Sequence, residues 1–138
     1  MTKYHLFSTT MLVALFLAAS SLALPPPEKD ELTLTELATQ RFDLDGKIIE
    51  TEITGAYSFT QVAKGKYKAY CVYYSGGTHL SSGGESVFFG EDGKEFFQKM
   101  SEKDYWSGGK KKIYVLIEKK KLTVVGTRFK KSKGTYSW

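Results

Sequence analysis

The residue types that could do chemistry are few. Cys71 is the only thiol, and His79 is the only histidine outside the first few residues. A catalytic thiol wants a nearby His at a loop or helix start. Cys71 stands instead between Tyr70 and Val72 in a strand-like run, the place of a small buried hydrophobe. His79 falls in the Ser75–Gly84 segment, which has no G-K-[ST] ending to cradle phosphate and no G-x-S-x-G elbow. One His cannot assemble a metal site, so no metal and no cofactor is predicted. Glu50 and Glu52 share a strand face about 7 Å apart, a spacing open to a glycosidase pair or a cation. Lys66 and Lys68 on the neighbouring run are expected to neutralise them across the sheet.

Rings and cations are more informative. Lys66 to Tyr74 (KYKAYCVYY) alternates small and large side chains. With Tyr67, Ala69, Cys71 and Tyr73 inward, Lys68, Tyr70, Val72 and Tyr74 face outward, and Phe88 of the next run can join them. Exposed rings stack on bases or sugar faces, for about 1–3 kcal/mol per base in nucleic-acid complexes. Residues 94–138 hold thirteen Lys and Arg against four acids, whereas residues 28–52 hold eight acids against three cations. Lys119, Lys120 and Lys121 sit in a turn between two strand runs. They are expected to steer an anionic or sugar-containing ligand to the Lys68, Tyr70, Tyr74 and Phe88 surface.

The elements that position these groups follow from periodicity. Thr33-Leu34-Thr35-Glu36 is a capping box, and Leu34, Leu37 and Ala38 share one helical face. From Lys47 the period becomes two, with Ile49, Thr51 and Ile53 on one face. That run and Lys66–Tyr74 are expected to pair as a hairpin, with Tyr57-Ser58-Phe59 in the connection. Glu85–Phe89 follows the glycine-rich segment. A second capping box at Asp92–Glu95 opens a helix carrying Phe96, Phe97 and Met100. Two strands close the order, Lys112–Ile117 and Leu122–Phe129, joined by a tight turn at Lys119-Lys120.

Composition and the N-terminus set the context. The chain has 138 residues, is 41% hydrophobic and carries a formal charge of +5, which fits one small globular domain. Lys3, the apolar run Met11–Ala19 and the small residues of Ser21-Leu22-Ala23 read as a signal peptide over residues 1–23. The run is too short to span a bilayer. A lone cysteine suits an oxidising compartment, so export to the periplasm or extracellular space is expected. Residues 24–32 read as an extended stub, 33–131 as the folded domain and 132–138 as a polar, lysine-bearing tail.

Helix, three strands, helix, two strands is the chain order of the oligonucleotide/oligosaccharide-binding (OB) fold, a five-stranded Greek-key barrel with a helix between strands three and four. The stretch T-L-T-E-L-A-T-Q-R-F-D-L-D-G-K-I-I-E-T-E-I resembles the opening of exported bacterial OB-fold proteins, and L-T-V-V-G-T-R-F is similar to their closing strand. The resemblance spans about residues 33–131. It implies the fold, whose members bind single-stranded nucleic acids, oligosaccharides or protein partners, and it names no ligand for this chain. With the rings and lysines above, the expectation is a monomeric or weakly associating binding module whose ligand is an anionic polymer, a single-stranded nucleic acid or an oligosaccharide. A protein-interaction or cell-envelope-associated module is the alternative. A nuclease-like enzyme is disfavoured, because only Arg41 and Arg128 follow the leader to serve as catalytic arginines.

Overall fold

The computed structural model describes residues 24–29, 31–74 and 83–138. The expected signal peptide and residues 75–82, His79 included, lie outside the described residues. The protein is mainly β. In chain order it has β1 (Pro27–Glu28), α1 (Leu34–Thr39), β2 (Ile48–Ile53), β3 (Gly55–Ala63), β4 (Lys66–Tyr73) and β5 (Gly83–Phe89). A 3-10 turn (Glu91–Gly93), α2 (Lys94–Met100) and a second 3-10 turn (Tyr105–Gly108) follow. The chain ends with β6 (Lys111–Ile117), β7 (Leu122–Gly126), β8 (Arg128–Lys130) and β9 (Thr135–Ser137).

Seven strands form one mixed sheet in the order β1-β2-β6-β7-β5-β4-β3, and β8 and β9 form a separate hairpin. Neighbours are antiparallel except β1 with β2 and β5 with β7, which are parallel. The expected five strands in a closed barrel are corrected here: nine strand segments are described, and the ladder is open between its two ends. The cause is local. Thr54 alone separates β2 from β3, which forms where a connection is expected, and the Thr54 N–H donates to the Val72 carbonyl at 2.8 Å, turning the chain onto β4. Thr127 likewise separates β7 from β8. The expected hairpin of the Lys47 run with the Lys66 run is also corrected. Here β2 pairs with β6, and β4 takes β3 as its hairpin partner.

The core follows the alternation. Ile49 and Ile53 of β2, Ala69 and Cys71 of β4, Val87 and Phe89 of β5, Ile113, Val115 and Ile117 of β6, and Leu122 and Val124 of β7 are buried together. Leu34 and Leu37 of α1 and Phe96, Phe97 and Met100 of α2 cap this layer. Each such aliphatic or aromatic side chain contributes about 1.5–3 kcal/mol on burial. Helix α1 starts as its capping box dictates: the Glu36 N–H donates to Thr33 Oγ1 at 3.3 Å, and the Thr33 N–H donates to Glu36 Oε1 at 3.0 Å. At α2 the expected box does not form. Gly93 is the N-cap, without a side-chain bond, and Asp92 accepts from the indole N–H of Trp138 at 3.1 Å instead.

The first and last described segments are tied to the domain. Residues 132–138, expected as a tail, include β9, and the Trp138 ring packs on Phe89 and Phe96. The stub enters the sheet through β1, and the Tyr136 hydroxyl donates to the Pro25 carbonyl at 2.7 Å. Gly126 makes this possible, since a Cβ there would meet the Ser137 carbonyl at 2.7 Å.

Candidate ligand-binding face

The outward side of β4 is built by alternation. Ala69 and Cys71 are wholly buried, which exposes Tyr70 by 40% on the opposite side. Burial pushes the Cys71 thiol up to about 12, so it stays protonated and inert at neutral pH.

Ladder register then fixes the neighbours. One row across the sheet runs Tyr57, Tyr70, Ser86, and the next runs Thr60, Lys68, Phe88, Thr123. Between Tyr57 and Thr60 the register shifts, with Ser58 at φ +56°. This bulge sends Phe59 to the core, edge-on to Phe97 at 5.4 Å, and keeps Tyr57 outside. The rings of Tyr57 and Tyr70 lie 6.5 Å apart between centroids and 19° from parallel. Gly84 leaves room for this arrangement, because a Cβ there would come within 2.8 Å of the Tyr70 ring. Lys68 and Phe88 are half-buried in the adjoining row.

The three loop lysines are exposed in the β6–β7 turn, which is closed by the Glu118 N–H donating to the Lys121 carbonyl at 3.0 Å. Thr123 lies opposite Phe88 in the parallel β5–β7 pair, so the turn that carries Lys121 leads directly into the strand beside β5. Tyr74 lies at the other border. It shares a recess of about 590 Å³ with Ala56, Tyr57, Val72, Tyr73 and Trp106. Tyr57 therefore joins Tyr70 to the recess that holds Tyr74.

Sequence reasoning missed Tyr57 and Trp106. The alternation read from Lys47 stops at Ile53 and leaves Tyr57 in the expected connection, although A-Y-S-F-T-Q-V-A carries the β-prone residues of a strand. Trp106 is held by a hydrogen bond from its indole N–H to the Met100 carbonyl at 2.9 Å, a contact with no sequence signature.

The acidic pair is used otherwise than expected. Glu50 and Glu52 face β6, so their partners are Lys112 at 3.2 Å and Lys110 at 3.6 Å, not Lys66 and Lys68. Glu50 also accepts from the Tyr114 hydroxyl at 3.3 Å. Its hydrogen bond and charge hold the Lys112 ammonium protonated above its usual range, while burial chiefly raises the Tyr114 phenol. Among the described residues no group of three or more His, Cys, Asp or Glu side chains is placed to hold a metal ion, and no helix is long and apolar enough to cross a membrane. Comparison with protein-family models, characterised proteins and solved structures returns no match.

Proposed function

We propose that this protein is an exported, non-enzymatic binding module that holds an anionic polymer, a single-stranded nucleic acid or an oligosaccharide against the outer side of β3, β4 and β5. The observation that carries the reading is the near-parallel Tyr57 and Tyr70 ring pair on an exposed ladder, with Lys68 and Phe88 in the next row. Rings at strand spacing offer successive stacking surfaces, and lysines at the border raise the local concentration of a polyanion.

The strand order supports an OB-type arrangement. β2 and β3 act as halves of one bent first strand, β5 runs parallel to β7, and α2 falls between β5 and β6 in the chain. Binding on the second and third strands of such a sheet is the use that fold most often supports. Lys3, Met11–Ala19 and Ser21–Ala23 are the grounds for export.

A protein-interaction or envelope-associated module is the second reading. It draws on β3, an end strand of the sheet with Tyr57 and Val62 exposed by 56% and 44%. Binding measured at two salt concentrations separates the two. A polyanion loses affinity steeply as salt rises, whereas an apolar protein contact hardly changes.

A further inference from the structure

A second basic groove, which shares no lining residue with the recess beside Tyr57, lies between α2 with its flanking turns and the strands β6 and β8. Its volume is about 490 Å³, within the range of small-ligand sites. Five cations border it: Lys99, Lys110, Lys111, Lys112 and Arg128. Three of them are already neutralised, Lys99 by Glu95 at 3.3 Å, Lys110 by Glu52 and Lys112 by Glu50. Asp92, the remaining acidic side chain on the rim, accepts from the Trp138 indole N–H. Among the described residues no carboxylate lies within 4.0 Å of the charged nitrogens of Lys111 or Arg128.

Lys111 shares the parity of the buried Ile113 and Val115, and its ammonium sits over the Tyr105 ring, 4.8 Å from the centroid. That contact fixes the ammonium without cancelling its charge. Arg128 brings a planar donor fork suited to a tetrahedral oxyanion. Trp138 and Tyr105 add half-buried aromatic surface beside the two cations. We infer that this groove binds a phosphate or sulfate group carried on a small organic body, with Lys111 and Arg128 gripping the oxyanion and Tyr105 and Trp138 flanking the organic part. The site stands whether or not the Tyr57 and Tyr70 face binds a polymer.

The test is a titration of the isotope-labelled full chain with inorganic phosphate, pyrophosphate, and a phosphorylated and a sulfated monosaccharide, read at the indole N–H of Trp138. The two indole signals are assigned with W106F. Saturable movement of the Trp138 signal is expected, tighter for the sugar esters than for the free anions. R128Q and K111Q, measured separately, are each expected to weaken it at least tenfold, while Ala at Lys119, Lys120 and Lys121 leaves it unchanged. R128Q alters an exposed side chain, so it reports even if K111Q proves unstable. No saturable movement, or movement equal in R128Q and the parent, overturns the inference. Tighter binding of the free anions than of the esters overturns the role given to the rings. Loss in the loop-lysine variant equal to that in R128Q reduces the effect to general charge and also overturns it.

Discussion

Tyr57 and Tyr70 are direct cross-strand partners, and their rings lie 6.5 Å apart at 19° across the exposed side of the β3–β4 ladder. The pair depends on two backbone features that lie outside it. The bulge at Ser58 changes the facing of the residues that follow Tyr57, and Gly84 leaves the space over β5 that the Tyr70 ring occupies. Neither ring supports the core, so ligand contact and fold stability are separable at this site.

Replacing Tyr57 and Tyr70 with alanine is expected to leave the domain folded, at a stability cost of about 1 kcal/mol for the lost cross-strand pair. Affinity for a stacked ligand should fall by about 1–3 kcal/mol for each ring engaged. Circular dichroism melts and binding isotherms on the same samples check both halves.

Alanine at Lys119, Lys120 and Lys121 acts on charge alone. For a single-stranded polyanion contacting all three, the slope of log affinity against log salt should flatten by about 2. The tyrosine variant should keep the parental slope while losing affinity.

Phe97 meets Phe59, Tyr67 and Phe89 at centroid distances of 5.4, 5.1 and 5.7 Å, tying α2 to β3, β4 and β5. Phe97→Ala should destabilise the protein by about 3–5 kcal/mol, read as a lower midpoint in urea. Thr123 predicts the opposite sign. Its hydroxyl is buried with no hydrogen-bond partner among the described residues. Thr123→Val keeps the shape and removes the uncompensated group, so stability should hold or rise by about 1 kcal/mol.

The buried thiol makes stability depend on alkaline pH. Its folded pKa lies at about 12 against 9.0 for an exposed thiol, so the unfolded chain loses the proton first. Stability from this group is full below pH 9 and declines as pH rises towards 12, by up to about 1.4 kcal/mol per pH unit. Tyr136, pushed up to about 12 chiefly by burial, and Tyr114, also raised, act in the same direction. The clean measure is therefore the difference between the parent and Cys71→Ala in urea melts across that range. A thiol reagent at neutral pH should label Cys71 only after unfolding.

The sequence makes the core legible wherever period two or a capping box is uninterrupted. The alternation that buries Ala69 and Cys71 and exposes Tyr70, the face of Ile113, Val115 and Ile117, and the Thr33–Glu36 box are all readable from spacing. Pairing is harder to read, because period fixes which face a residue takes and says nothing about which strand lies beside it. Period alone therefore pairs Glu50 and Glu52 with Lys66 and Lys68, whereas β2 lies beside β6 and the two acids meet Lys112 of that strand and Lys110 just before it. Tyr57 is hidden by the bend at Thr54. Trp138 reads as part of a polar tail because its partners, Phe89, Phe96 and Asp92, are more than forty residues away.

The most direct test of the binding face is chemical-shift mapping of the isotope-labelled chain against a short single-stranded DNA, an anionic oligosaccharide and a neutral oligosaccharide. At least one of them should produce saturable shifts concentrated at Tyr57, Lys68, Tyr70, Phe88 and Lys119–Lys121, and the Tyr57 and Tyr70 double alanine variant should need a correspondingly higher ligand concentration to reach them. Saturable shifts confined to other surfaces, or none from any of the three, would contradict it.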